Sequence, residues 1–210
     1  MIKKTIRIFL ILLGVHLLWG GVWSVASQPI PDAELQQKRV FTSLEEALAV
    51  PGEVYRLKLK IKSDSLPEEI FQLYNLQELT AARCKLNVLN QRIGTLSNLT
   101  YLNLSGNHLV RLPASIGQLT HLRTLIISRN LIEELPETIS HLHQLTYIDA
   151  WENPLYTLPE SISELENTLK TIDLRQIDLR DWELEKMEQL LPNTKIEVTS
   201  TCDCHSTRGK

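Results

Sequence analysis

Two short groups of residues in this chain could carry chemistry. His141 and His143 flank Leu142 and could supply two ligands of a metal site, and the segment Cys202-Asp203-Cys204-His205 is a cluster of soft ligands. Protein zinc sites usually have four ligands, and no third ligand stands near the two histidines, so we predict no metal there. For the cysteine cluster three interpretations stay open: a disulfide formed in an oxidising compartment, a surface metal site, or two thiols without a function.

Motifs of the common enzyme classes are absent from the sequence. It contains neither Gly-x-Ser-x-Gly nor a phosphate-binding glycine loop, and Ser105-Gly106-Asn107 belongs to a repeat described below. No motif supplies a nucleophile together with its base, so we predict no enzymatic activity and no cofactor. The formal net charge of −3 gives no electrostatic reason to expect nucleic acid as a partner.

The dipeptide Leu-Pro recurs at a fixed period and indicates the elements that position all other residues. It stands at Leu66-Pro67, Leu112-Pro113, Leu135-Pro136 and Leu158-Pro159. The equivalent position between the first two reads Leu89-Asn90, and with it every step is 23 residues. A period of this size is typical of a solenoid of stacked coils.

Each coil contains two different hydrophobic spacings. Leu-x-Leu has the two-residue period of a short strand that turns alternate side chains inward. The apolar positions that follow are three residues apart, which suits a tight turning segment. Between them lies an asparagine, at Asn107, Asn130 and Asn153, whose amide we expect to bond backbone groups of its own and adjacent coils. Cys84 takes this place in an earlier coil, where we expect it to be buried and inert, and Ile177 takes it in a later one.

The coil Leu99-x-x-Leu102-x-Leu104-x-x-Asn107-x-Leu109-x-x-Leu112-Pro113-x-x-Ile116-x-x-Leu119 resembles the leucine-rich repeat family, in its typical 23-residue class. The resemblance covers about residues 54 to 198. It implies an α/β fold: a horseshoe solenoid with a concave parallel sheet of about six to seven short strands and helical caps. It also implies a concave face that commonly binds proteins or peptides and less often glycans. The leader and the segments Ser43–Leu48 and Val54–Leu59 resemble small exported bacterial proteins of this family.

The two ends of the chain differ from the repeats. Lys3, Lys4 and Arg7 precede an almost uncharged stretch to residue 25, which is the layout of a signal peptide, with an uncleaved membrane anchor as the alternative. Ser43 and Glu46 have capping-box spacing and predict a helix over about 43–49. We divide the chain into five parts: 1–27 signal peptide or anchor, 28–53 N-terminal segment and capping helix, 54–180 repeats, 181–198 C-terminal cap with a helix and a last strand, and 199–210 disordered tail. Either version of the leader predicts export, to the periplasm, the cell surface or the medium, or to a membrane with the repeats outside the cytoplasm.

The residues beside the inward leucines should form three columns on the concave sheet. They change from basic residues at the first coil to acidic ones near the fifth and sixth, and aromatic residues lie between. Aromatic residues and arginine dominate binding hot spots, although β-propensity alone would also place some aromatics in a sheet. The predicted ligand-binding residues are Tyr101, Asn103, Ile126, Arg129, Tyr147, Asp149, Trp151, Glu152, Asp173 and Arg175.

These features predict a non-enzymatic interaction module, a monomer whose concave face holds an unidentified protein or peptide. One alternative is a membrane-anchored structural or adhesion spacer. Another is a carbohydrate-binding protein that uses Tyr101, Tyr147 and Trp151 as stacking platforms beside Asp149 and Asp173.

Overall fold

A computed structural model describes residues 28–199 and contains one open parallel sheet. Eight strands lie side by side in chain order: β1 Val40–Phe41, β2 Arg56–Lys58, β3 Glu78–Thr80, β4 Tyr101–Asn103, β5 Thr124–Ile126, β6 Tyr147–Asp149, β7 Thr171–Asp173 and β8 Lys195–Glu197. This is the solenoid of stacked coils that the period predicts, with the parallel sheet that the family resemblance implies. The sheet has eight strands, where six to seven were expected.

Short turning segments return the chain from each strand to the next. Between β2 and β7 each of them contains a 3-10 helix, at Glu68–Gln72, Gln91–Thr95, Ala114–Gln118, Glu137–His141 and Glu160–Leu165, and a further one at Pro51–Glu53 precedes β2. The proline of Leu-Pro precedes such a helix, and its carbonyl accepts the N–H three residues later, for example Pro113 from Ile116 at 2.9 Å. Asn90 replaces this proline in one coil, and its side chain accepts from the N–H of Arg92 at 2.8 Å. The coil that lacks Leu-Pro therefore still begins its turn at the same position.

The core is the continuous interior between the strands and the turning segments. Leu102, Leu104 and Leu125 have no exposed surface, and one cluster of buried side chains extends from Phe41 to Leu191. This burial confirms which residues of Leu-x-Leu point inward. Gly117 is needed where two turns come close, because a Cβ there would lie 2.4 Å from the carbonyl oxygen of Thr138.

The predicted asparagine ladder is confirmed. Asn107 Nδ2 donates to the carbonyls of Leu104 at 2.7 Å in its own coil and Ala81 at 2.9 Å in the preceding one. Its Oδ1 accepts the N–H groups of Cys84 and Leu86. Asn130 and Asn153 repeat the pattern one and two coils later. Cys84 is 1% exposed, as expected for an internal position.

The N-terminal segment contains more than the predicted helix. That helix, α2, spans Leu44–Ala49, and Ser43 Oγ accepts the N–H of Glu46 at 3.3 Å. Before it lie a short helix, α1 Asp32–Leu35, and strand β1, which pairs with β2. Strand β1 has two residues and lies outside the 23-residue phase, so the repeat pattern did not predict it.

The C-terminal part follows the sequence more closely. Helix α3 spans Asp181–Leu190 and precedes Pro192, and β8 adds a last strand at Lys195–Glu197. The predicted leader over 1–27 lies outside the described residues, as does the predicted tail beyond Thr199 with Cys202 and Cys204. Within residues 28–199, no helix is both long and apolar enough to cross a membrane.

Candidate functional site

The strand register produces the columns that the repeat predicted on the concave face. Arg56, Glu78, Tyr101, Thr124, Tyr147 and Thr171 are paired neighbours in one column, which we call the tyrosine column. Lys58, Thr80, Asn103, Ile126, Asp149 and Asp173 form the central column. Because the pairing is parallel and in register, each side chain lies beside its repeat equivalent.

Three apolar or aromatic side chains share the middle of this face. Tyr101, Ile126 and Tyr147 are each half-buried in β4, β5 and β6. Two strand spacings separate the tyrosines, so their backbones are about 10 Å apart. Burial raises the pKa of Tyr147, and the nearby carboxylates of Asp149 and Asp173 raise it further. Tyr147 therefore stays a neutral hydroxyl well above neutral pH.

Trp151 continues the aromatic surface beyond the end of β6. The guanidinium of Arg129 lies 4.2 Å from its ring centroid, a cation–π distance. Arg129 Nε also donates to Glu152 Oε2 at 2.7 Å. Arg129 and Glu152 both have left-handed backbones, with φ of 56° and 55°. The structure thus brings Arg129 and Glu152, which the sequence places at the margin of the aromatics, together with Trp151 as a preformed group.

Three polar residues of the central column have a structural role that the sequence analysis did not assign. The side-chain oxygens of Asn103, Asp149 and Asp173 each accept the N–H two residues later, at 2.9, 3.2 and 3.1 Å. Asn103 also accepts from Ser105 Oγ, and Asp149 accepts from Ser128 Oγ at 2.9 Å. Such bonds stabilise a turn at the end of each strand. These oxygens are therefore partly occupied before any ligand arrives.

Asp173 is buried, although the sequence predicts that it points into solvent. It is 2% exposed, because the guanidinium of Arg175 covers it with contacts of 2.6 and 2.9 Å. Burial alone raises the pKa of Asp173, but the hydrogen bonds and charge of Arg175 outweigh it, and the net pKa is lowered. Burial raises the pKa of Asp149, which has no cation bonded to it. Of the three predicted acidic ligands, Asp149 and Glu152 remain accessible.

The predicted change from basic to acidic residues is weaker in the structure than in the sequence. Arg56 pairs with Glu78 at 2.6 Å, and both side chains are mostly buried. Lys58 and Lys60 remain exposed at the first coil. Arg175 neutralises Asp173 at the other end. The concave face is therefore mainly an aromatic surface with a basic margin.

The N-terminal segment reaches the edge of this face, which the sequence did not suggest. Both carboxylate oxygens of Asp32 in α1 accept from Arg123 Nη1, at 2.9 and 2.8 Å, although the two residues are far apart in the chain. Gln36 Nε2 donates to Glu78 at 3.2 Å. Segment 32–36 therefore borders the concave face from β3 to the start of β5.

A second surface, also missed, lies past the asparagine ladder, where each coil leads into its turning segment. We call it the lateral face. Four apolar side chains are exposed there: Val88, Val110, Leu131 and Tyr156. A groove of about 660 Å³ is lined by Val88, Val110, Arg111 and Pro113 among others. An alignment of the coils could have indicated this face, because it shows apolar residues in the variable positions.

The two histidines considered as metal ligands, His141 and His143, are both exposed. No group of three or more His, Cys, Asp or Glu side chains suited to a metal ion occurs in the described part of the chain.

Comparison with known proteins agrees with this geometry. A family model described as a leucine-rich repeat region matches residues 87–199, which is more than half of the chain. A solved structure of a leucine-rich repeat protein from Leptospira interrogans is similar, with 27% sequence identity and a TM-score of 0.55. The match covers 77% of this chain and 54% of that one, so this chain spans about half the length of that relative. A search of curated proteins gave no match. The repeat period, the parallel sheet and the family match together show that the chain belongs to the leucine-rich repeat family.

Proposed function

We propose that this protein is a non-enzymatic recognition module whose concave face binds a protein or peptide. Proteins of this family generally bind proteins and typically act as scaffolds without enzymatic activity. The observation that carries the proposal is the stack of Arg129 on Trp151, just beyond the end of the strand that carries Tyr147. Such a group offers a large contact area and loses little side-chain entropy on binding, because its side chains are already held.

The binding surface we propose consists of the accessible members of the predicted site. They are Tyr101, Ile126, Arg129, Tyr147, Trp151 and Glu152, with Asp149 as a polar neighbour. Asp173 is buried, and Asn103 bonds to Ser105. We assign these two residues, together with Arg175, to stabilising the ends of the strands and not to contacting the ligand.

Binding measurements on two substitutions test this proposal. Partners would be captured from the envelope and medium of the producing cell, or selected from a displayed peptide library, and their affinities measured by calorimetry. Tyr147→Ala and Trp151→Ala should each weaken binding by about 2 kcal/mol or more, as at other hot spots. Tyr74→Ala is the matched control, because Tyr74 is 60% exposed and lies outside the concave columns. Losses below about 0.5 kcal/mol at both site residues would exclude this surface.

The carbohydrate alternative is less well supported, because it relies on two acidic side chains that are already bonded within the protein. In that alternative Asp149 and Asp173 would accept hydrogen bonds from sugar hydroxyls, whereas Asp173 is paired with Arg175 and Asp149 already accepts a bond from Ser128. A protein or peptide ligand makes fewer demands on these two groups. Glycan-array binding that is lost in Trp151→Ala would reverse this preference.

We also propose export of the protein, on the basis of its first residues. Lys3, Lys4 and Arg7 before the apolar stretch are typical of a leader. N-terminal sequencing of the mature protein is the direct measurement. A chain beginning near Ser27 or Gln28 would exclude the anchored spacer, and a chain that retains residues 1–27 would support it.

A further inference from the structure

The exposed apolar residues of the lateral face form a stripe across four consecutive coils. Val88, Val110, Leu131 and Tyr156 belong to the coils of β3, β4, β5 and β6, and they are 61%, 42%, 51% and 51% exposed. Val88 and Val110 line the same groove, the N–H of Leu131 donates to the carbonyl of Leu109 at 2.9 Å, and that of Tyr156 donates to Glu133 at 3.4 Å. The stripe therefore runs from coil to coil. A contiguous apolar stripe with a polar surround marks a contact with another molecule.

The charges beside this stripe change sign along it. Lys85 and Arg111 stand on the coils of β3 and β4, and Glu133 and Glu134 stand on the coil of β5, all exposed. Within residues 28–199, none of these four side chains takes part in an ion pair. The lateral face therefore has a basic end and an acidic end, and both ends are available to a partner.

We propose that the lateral face pairs two copies of this chain across a two-fold axis between the coils of β4 and β5. An antiparallel arrangement about that axis brings Val110 of each copy to Leu131 of the other. It also brings Arg111 of each copy to Glu134 of the other. The same contacts occur twice, as in every isologous interface. A parallel arrangement would place like charges together and is disfavoured.

The groove on this face has a matching side chain in the second copy. It lies between the coils of β3 and β4, has a volume of about 660 Å³ and is lined by Val88 and Val110. The proposed axis carries the coil of β3 onto that of β6, where Tyr156 is 51% exposed. Tyr156 of one copy therefore enters the groove of the other, an aromatic side chain in an apolar pocket, as at many interface centres. This differs from the monomer expected from the sequence.

Sedimentation equilibrium of the full-length protein, from micromolar to submillimolar concentration, tests this pairing. The wild type should dimerise, and its dissociation constant should rise with salt, because exposed charge pairs are screened. Leu131→Asp should weaken the dimer at least about tenfold, since it places a carboxylate at the apolar centre. Tyr74→Asp is the control, because Tyr74 is also exposed but lies off the stripe.

A charge exchange distinguishes this interface from any other. Arg111→Glu and Glu134→Arg should each weaken the dimer, and the two changes in one chain should restore it, because both symmetry-related pairs are then reversed. Circular dichroism confirms that each variant is folded. A wild type that stays monomeric at every concentration overturns the proposal. So does a dimer that is insensitive to Leu131→Asp, or one that the double exchange does not restore. None of these results depends on the concave-face ligand.

Discussion

Replacing Asn130 by alanine measures how much the asparagine ladder stabilises the solenoid. Asn130 Nδ2 donates to the carbonyls of Leu104 at 3.0 Å and Ile127 at 2.8 Å, and its Oδ1 accepts the N–H of Leu109 at 3.1 Å. The residue is 5% exposed, so alanine leaves the N–H of Leu109 buried without a partner. The two carbonyls lose one of their donors but keep another, Asn107 for Leu104 and Asn153 for Ile127. One such unsatisfied group costs about 1–3 kcal/mol, and the free energy of unfolding should fall by about that amount.

Urea unfolding followed by far-ultraviolet circular dichroism gives this free energy directly. The matched control is Asn87→Ala, because Asn87 is exposed and its amide bonds only to the exposed Asp64, at 2.8 Å. The control should lose under about 0.5 kcal/mol, as for most surface substitutions. If Asn130→Ala lost less than about 1 kcal/mol, or as little as the control, the buried amide would not be needed to satisfy the interior.

Two further substitutions test other parts of the structure. Arg175→Ala should destabilise the protein at neutral pH, because it removes the guanidinium whose bonds and charge outweigh the burial of Asp173, and the pKa of Asp173 then rises. Urea midpoints at pH 7 and at pH ~4 should show a smaller loss at the lower pH, where Asp173 of the variant binds a proton. An equal loss at both values would mean that the charge of Asp173 is not the cause. Gly117→Ala should cost about 1–3 kcal/mol in thermal unfolding, because its Cβ would lie 2.4 Å from Thr138 O. Gly52→Ala should be mild by comparison, since its Cβ meets only the end of a tyrosine side chain.

The sequence predicts those parts of the fold that repeat in phase. Leu102 and Leu125 are buried, and Asn107 bonds two coils, because every coil places the same residue type in the same environment. The repeat does not predict strand β1, because its two residues have no equivalent at a distance of 23. Its pairing with β2 depends on the three-dimensional course of the N-terminal segment, which no spacing encodes.

The candidate site shows a similar division. The columns that contain Tyr101, Ile126 and Tyr147 follow directly from the repeat phase. The burial of Asp173 does not, because it depends on the side chain of Arg175 folding back over it. A repeat pattern assigns each Cβ to a side of the strand, but the exposure of an outward side chain depends on its particular neighbours.

The apolar stripe escaped prediction for a different reason. Val110 and Tyr156 stand three residues after the ladder asparagine, whereas Leu131 stands one after it and Val88 four after Cys84. The stripe therefore has no fixed phase in the sequence. The four residues still lie on one face, because the segment between the ladder and the turn is short in every coil.

The concave and lateral faces are built from the same coils but from different positions in each coil. The concave columns precede the ladder asparagine, as Tyr147 precedes Asn153, and the stripe follows it, as Tyr156 does. Two copies joined through their lateral faces would therefore keep both concave surfaces open. A ligand with two epitopes would then meet two linked sites, and its second binding event would occur at a raised effective concentration. The stripe would thus strengthen recognition by the aromatic surface without contributing any contact to the ligand.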